Sequence, residues 1–272
     1  MALDLSLMQL GKKPFIHRPG TPMFKTFRSA ALAAPPAECD YTKGVTDFGV
    51  FLNGPNSFGH GVPAEGLGNC TICGPIHGEQ IWSLNSRAAG MIKLSEADAL
   101  DKYTAWDGYS VGNADTDQGG ELQSVMTQWQ DESFPGCFNL DTFASIHEIQ
   151  SNGVMVIDPV EFKTAVWLLG GANVGVQLPV AWQGATTWDV GTGPDYQPNS
   201  WGPHCIWCVG YNSIGPLFIS WGAIYQMTWA ATAVYLDEAW GPVSRDFLQT
   251  TWTTPSGFDI AGCEAALSSI AA

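Results

Sequence analysis

The chain changes pattern near its middle, and that change limits the folds open to it. Before Gly170-Gly171 apolar residues recur at helical spacing; after it they come in short runs bounded by Gly, Pro or Asn. Asn69 stands where a helix N-cap belongs, ahead of CTICGPIHGEQIWSLNS. There Ile72, Cys73, Ile76, Gln80 and Leu84 approximate one face, while Gly74, Pro75 and Gly78 weaken the propensity and Pro75 is tolerable only near the first turn. Further helices are predicted from Ser95 to Trp106, from Gly119-Gly120 to about Gln130, and over VEFKTAVWLL, capped by Asp158-Pro159 and stopped by Gly170-Gly171. Val174 to Trp182, His204 to Tyr211 and Leu217 to Trp221 read as strands. Helices first and strands later predict an α+β protein of two lobes with a cleft between them.

Residues 1–45 read as an extended arm. Pro14, Pro19, Pro22, Pro35 and Pro36 punctuate it, and Ala30 to Ala34 is its one helical stretch. Gly54 to Gly68 is a long Gly/Pro-rich loop, a kind that tends to carry function. The formal charge of −15 excludes a general polyanion binder, since nucleic acid and anionic membrane would repel it. Lys12, Lys13, Arg18, Lys25 and Arg28 cluster in the arm, which is expected to lie on an acidic surface, its own or a partner's. No secretory signal is visible at the start, and the longest charge-free segment, Ala165 to Thr187, carries Asn173, Gln177, Pro179 and glycines, so no membrane span is expected. Seven cysteines read as reduced, mostly buried thiols of a cytoplasmic protein.

Two pairs, Cys70-x-x-Cys73 and Cys205-x-x-Cys208, have the outward form of a zinc site. The second lies in the apolar run HCIWCVGY, where strand alternation would send its thiols to opposite faces, so zinc is the weaker reading and neither metal nor cofactor is expected. The stronger one pairs a thiol at a helix start with a histidine on a distant strand. Cys70 would be the first residue of its helix, where unpaired amides and the macrodipole favour the thiolate. His204 opens a strand whose inward face also carries Ile206 and Cys208. A thiolate–imidazolium pair can attack a carbonyl and then protonate the leaving group.

GLGNCTICG, then GPHCIWCVGYN, then LFISWG resemble in order the blocks of papain-like cysteine peptidases. The resemblance implies Cys70 as nucleophile, His204 as base, Val209-Gly210-Tyr211 continuing the strand, and Trp221-Gly222 shielding the third catalytic position. An alternative register puts Cys73 on the nucleophile and Cys70 on an upstream disulfide cysteine. A run of blocks that includes LGKKP, RPGTP, GNCT, TDQGG, LLGG and SWGPH resembles more closely a papain-fold group encoded by tailed bacteriophages and prophages. It implies a papain-like domain over residues 46–252, behind the arm of 1–45 and ahead of a tail of 253–272, in the host cytoplasm or associated with the virion.

The chain departs from the family pattern at two supporting positions. Where the family has an upstream amide, this chain has Ala64 followed by Glu65; Asn53, Asn56 or Asn69 would have to fold back to replace it. Ile219 falls on the family's orienting Asn, leaving Ser220 to hold the imidazole. His77 reads as a core histidine; Asp115, Asp117 and Glu121 read as loop and capping residues; the tryptophans between Trp182 and Trp240 read as core. Two functions stay open. One is a phage cysteine hydrolase acting on peptide or amide bonds through Cys70, His204 and Ser220. The other is a catalytically degenerate virion protein whose arm engages neighbouring subunits.

Overall fold

The computed structural model describes residues 8–27, 34–54, 66–87, 89–150 and 155–247. The helical lobe holds α2 (Cys70–Ser86), α3 (Glu96–Asp107) and α4 (Leu122–Asp131), while the short α1 (Phe24–Phe27), in the stretch read as an extended arm, packs against the second lobe. The second lobe begins with β1 (Cys39–Asp40), β2 (Leu140–Ser145), β3 (His147–Ile149), β4 (Met155–Ile157) and α5 (Pro159–Leu169). It continues through β5 (Ala172–Leu178), β6 (Thr187–Trp188), β7 (Gly202–Tyr211), β8 (Pro216–Ser220), β9 (Ala223–Met227), α6 (Trp229–Tyr235) and β10 (Leu236–Ser244). The main sheet runs β2-β10-β5-β7-β8-β9-β6, with β1 also on β7, and every pair is antiparallel except β6 with β9. This is the expected α+β, two-lobed architecture. No helix among the described residues is long and apolar enough to cross a membrane.

Local signals set several boundaries. Ser95 Oγ accepts the Asp98 N–H while the Asp98 carboxylate accepts the Ser95 N–H, a reciprocal cap, and Gly108 closes α3 in the left-handed region. Asp158 accepts N–H bonds from Val160 and Glu161 at 2.8 and 2.9 Å, and Gly170 ends α5. Asp158→Ala should therefore lower unfolding free energy by about 1 kcal/mol, read as a shift of the urea midpoint with unchanged slope.

Other expectations are corrected. The strand predicted to reach Trp182 stops at Leu178: Pro179 has no N–H to donate, and Val180–Trp182 curl into a 3-10 turn. Strands β2 to β4 lie in the half read as helical, and α6 lies among the strands. Most of Ala30 to Ala34, the Ala64-Glu65 dipeptide, Asn56 and the tail fall outside the described residues. The one-faced reading of α2 also fails, because every residue from Cys70 to Ser83 is buried. The helix is wedged between the lobes, against Cys205, Trp207 and Val209 on one face of β7 and the aromatic side chains of its own lobe on the other. Its glycines permit that approach: a Cβ on Gly78 would fall 2.7 Å from the Trp207 ring.

The main sheet separates two cores. One of its faces buries Val174, Ile206, Cys208 and Phe218 with Trp182, Trp188 and Tyr235; the other meets α2 through stacked Trp82–Trp129 and edge-on Trp82–Trp207 contacts. Thus the tryptophans that are fully buried pack the interior, as read from the chain.

Candidate functional site

Cys70 is the first residue of α2 and wholly buried, with Asn69 as the cap position but without a side-chain cap bond. Backbone N–H groups of Gly11 and Cys205 point at its sulfur, so the thiol lies against the peptide that follows His204. These donors and the helix start do not win. Burial pushes the Cys70 thiol up to about 11, with Asp107 adding to the rise, and the activated thiolate expected from the helix terminus is absent in this arrangement.

His204 sits near the start of β7, paired with Val176 of β5. Its Nε2 lies 2.8 Å from Ser220 Oγ, and Trp221 stacks on the ring at 4.5 Å and 11°. Its Nδ1 is buried with no hydrogen-bond partner among the described residues. Burial, helped by the neighbouring His77, pushes the imidazole down to about 3, so it is neutral at pH 7. A serine hydroxyl both donates and accepts. It therefore holds the ring's position without fixing which nitrogen carries the proton. Ile219 faces the other core and packs among apolar side chains.

The helical lobe contributes a different set of groups. Asp117 accepts the Gly68 N–H at 3.0 Å and the Tyr103 hydroxyl at 2.6 Å, tying the turn before α2 to the Gly119-Gly120 segment. Glu121 pairs with Arg18, and Asp115, Asp117 and Glu121 do not converge on a cation site among the described residues. His77 is a core histidine, its Nδ1 2.9 Å from Gln80 Oε1. Cys73 donates to the Phe51 carbonyl and to Asn69 Oδ1. Cys205 faces α2 while Cys208 belongs to the opposite core, so the four thiols do not converge on a zinc ion; all are free.

The residue that spacing undervalued is Asn53. Its amide donates to the Leu67 carbonyl at 2.7 Å, three residues before Cys70, and to the Gln9 carbonyl at 3.3 Å. Asn69, by contrast, is committed to the Phe51 carbonyl. The Asn53-Gly54 dipeptide was one signal for it, masked by the long loop that separates it from Cys70.

Gln9 belongs to the N-terminal arm, which fills the space above Cys70. The Gly120 N–H donates to the Gly11 carbonyl at 2.8 Å and the Lys13 N–H to the Gly120 carbonyl at 2.7 Å, a parallel bridge. Gly11 is pressed onto Gly68: a Cβ there would fall 1.5 Å from the Gly68 oxygen. Lys12 runs inward to Asp237 at 2.9 Å and Glu238 at 2.8 Å, its side chain without solvent exposure. Arg18 and Lys25 pair with Glu121 and Glu148, so the acidic surface under the described part of the arm is the chain's own.

No protein-family model and no curated protein sequence matches the chain. Solved structures do. Xylellain, a cysteine protease from Xylella fastidiosa, is similar with a TM-score of 0.60 at 11% identity, over 87% of this chain and 96% of that one. The cysteine protease and lectin-like domains of Cwp84, a surface layer associated protein of Clostridium difficile, give 0.54 at 12% identity, over 88% of this chain and 56% of that one. Procathepsin B S9 from Trypanosoma congolense gives 0.51 at 8% identity, over 89% and 87%. A helix opening on a buried cysteine, wedged against an antiparallel sheet that carries the histidine, is the papain-like fold, and that is the fold of this chain.

Proposed function

We propose that the chain is a cysteine hydrolase of peptide or amide bonds, held latent by its own arm. The observation that carries this is the histidine's setting: Nε2 on Ser220, the ring under Trp221, and Nδ1 buried with no hydrogen-bond partner among the described residues. In the reaction His204 Nδ1 takes the proton of Cys70 Sγ as sulfur attacks the carbonyl carbon. The oxyanion accepts from the Cys70 backbone N–H at the start of α2 and from the Asn53 amide. The proton on Nδ1 then passes to the leaving nitrogen, and water resolves the thioester by the same relay. Gln9 supports the role of Asn53, since its carbonyl already takes one of the amide hydrogens that an oxyanion would need.

The test uses protein with the arm displaced by Gly11→Val, a set of fluorogenic peptides, and a peptidyl epoxide that traps active-site thiols. Turnover or adduct formation that vanishes in Cys70→Ser is expected, as is a roughly 10²–10³-fold lower kcat/KM in Asn53→Ala. Hydrolysis surviving Cys70→Ser, or neither turnover nor adduct once the arm is free, defeats the reading.

One observation favours a second reading, a non-catalytic structural component of a phage particle. Cys70 and His204 are both fully buried and both held in their neutral forms, with a serine where an amide orienter would serve better. Many copies of the chain per purified particle would support it; a few or none would support the enzyme.

A further inference from the structure

Away from Cys70 and His204, three side chains from separate parts of the fold converge at the far end of α2. Glu79 comes from α2 itself, Cys137 from the loop after α4, and Asp246 from the turn after β10; one ligand atom of each lies within 4.8 Å of the others. Glu79 is completely buried. Its Oε1 accepts the Trp129 indole N–H at 3.2 Å, but Oε2 has no hydrogen-bond partner among the described residues. Asp246 is oriented by the Phe138 N–H at 2.5 Å, by Ser244 Oγ and by Arg87. Cys137 is half-buried and lines a cavity of about 440 Å³, together with Phe138, Asn139, Leu140, Asp141 and Arg245.

A fully buried carboxylate oxygen that faces only another carboxyl and a thiol needs a proton or a cation held between them. If all three groups ionise, they carry three negative charges against the single positive charge of Arg87, which the interior does not tolerate. A divalent cation makes the sum zero. The donor set then selects among cations. A thiolate with two carboxylates suits zinc and its spectroscopic surrogate cobalt, whereas magnesium and calcium take oxygen ligands. The cavity beside Cys137 supplies an entry path and a place for a water on the fourth position.

We propose that Glu79, Cys137 and Asp246 form a binding site for one thiophilic divalent cation of the zinc class, separate from the cleft that holds Cys70. A cysteine binds such a cation as its thiolate, so metal entry releases at least the Cys137 proton.

The experiment titrates Co²⁺, then Zn²⁺, into chelator-treated full-length Cys70→Ser protein, which removes the cleft thiol from the count. Expected are one equivalent bound, a thiolate-to-cobalt charge-transfer band, its loss on adding Zn²⁺, and proton release measured in buffers of differing ionisation enthalpy. Cys137→Ser should abolish the band. Glu79→Gln, which keeps an acceptor for Trp129, should weaken cobalt binding at least 10-fold, with circular dichroism confirming that the variant is folded. No band with the parent protein, or a band that persists undiminished in Cys137→Ser, overturns the assignment. Because hydrolysis is not the readout, the site stands or falls independently of the activity proposed for Cys70.

Discussion

Displacing the arm should raise the rate at which iodoacetamide labels Cys70 at pH 7 by roughly 300-fold, the ratio of thiolate fractions for a thiol at about 11 and one at an ordinary value near 8.5. Gly11→Val is the change to make. Any side chain at that position meets the Gly68 carbonyl, which is backbone at the mouth of α2 and cannot yield as a flexible side chain would. The shape of the pH profile is part of the expectation. In the parent, labelling climbs about tenfold per pH unit toward 11; in the variant it levels off well below that. Peptide mapping by mass spectrometry separates Cys70 from Cys39 and Cys137, which are half-buried and label by their own routes. Cys39, pushed to about 11 by its own burial and paired with Tyr211 at the other end of β7 from Cys205, serves as the internal control and should not change. If limited proteolysis shows the arm released while Cys70 labelling stays at the parent rate, something other than the arm buries the thiol.

The contrast between a thiol expected to be ionised and one held neutral shows where the chain could be read and where it could not. Helix starts and stops were legible because their causes are local: Ser95, Asp158 and Gly170 act within a turn of their own positions. The order of Cys70, His204 and Trp221 was legible too, because each lies in a block whose pattern includes its neighbours. What could not be read depends on groups distant in the chain. The helix dipole at Cys70 is a local property, but the arm that buries it arrives from some sixty positions upstream and seats through backbone bonds to Gly120, which leave no mark in composition. Asn53 is hidden for a related reason: the loop before α2 lies between it and the cysteine, so position counting lands on Ala64. The buried circumference of α2 is a tertiary fact. A helix enclosed on all sides has no polar face for periodicity to detect.

Lys12→Met should destabilise the protein by about 3–5 kcal/mol, the usual cost of leaving a buried charge without its partner. Lys12 contributes a side chain with no exposure to solvent, set between Asp237 and Glu238, and Glu238 is itself completely buried. Burial alone would lower the lysine's proton affinity, but Glu238 and then Asp237 outweigh it, and the ammonium is held above its ordinary value. Burial also raises the Glu238 carboxyl, with Lys12 opposing the rise. Removing the ammonium removes that opposition, and the sign of the pH dependence follows. A carboxyl whose folded value lies above its unfolded one stabilises fully below the unfolded value and loses that contribution as pH rises through the folded value. The deficit of Lys12→Met relative to the parent should therefore be largest at pH 8 and shrink as pH falls toward about 4.5, by up to roughly 1.4 kcal/mol per unit for one group. Adding Glu238→Gln supplies the control. The amide keeps an acceptor for the Trp240 indole, which donates to Glu238 at 2.7 Å, while the charge disappears. The double variant should recover most of the loss at pH 8 and show little of its pH dependence. Urea unfolding of the four proteins at two pH values closes the cycle. Equal losses in the single and double variants would mean that Lys12 holds the arm through packing of its stem, and that the buried charge pair is not what seats the arm over Cys70.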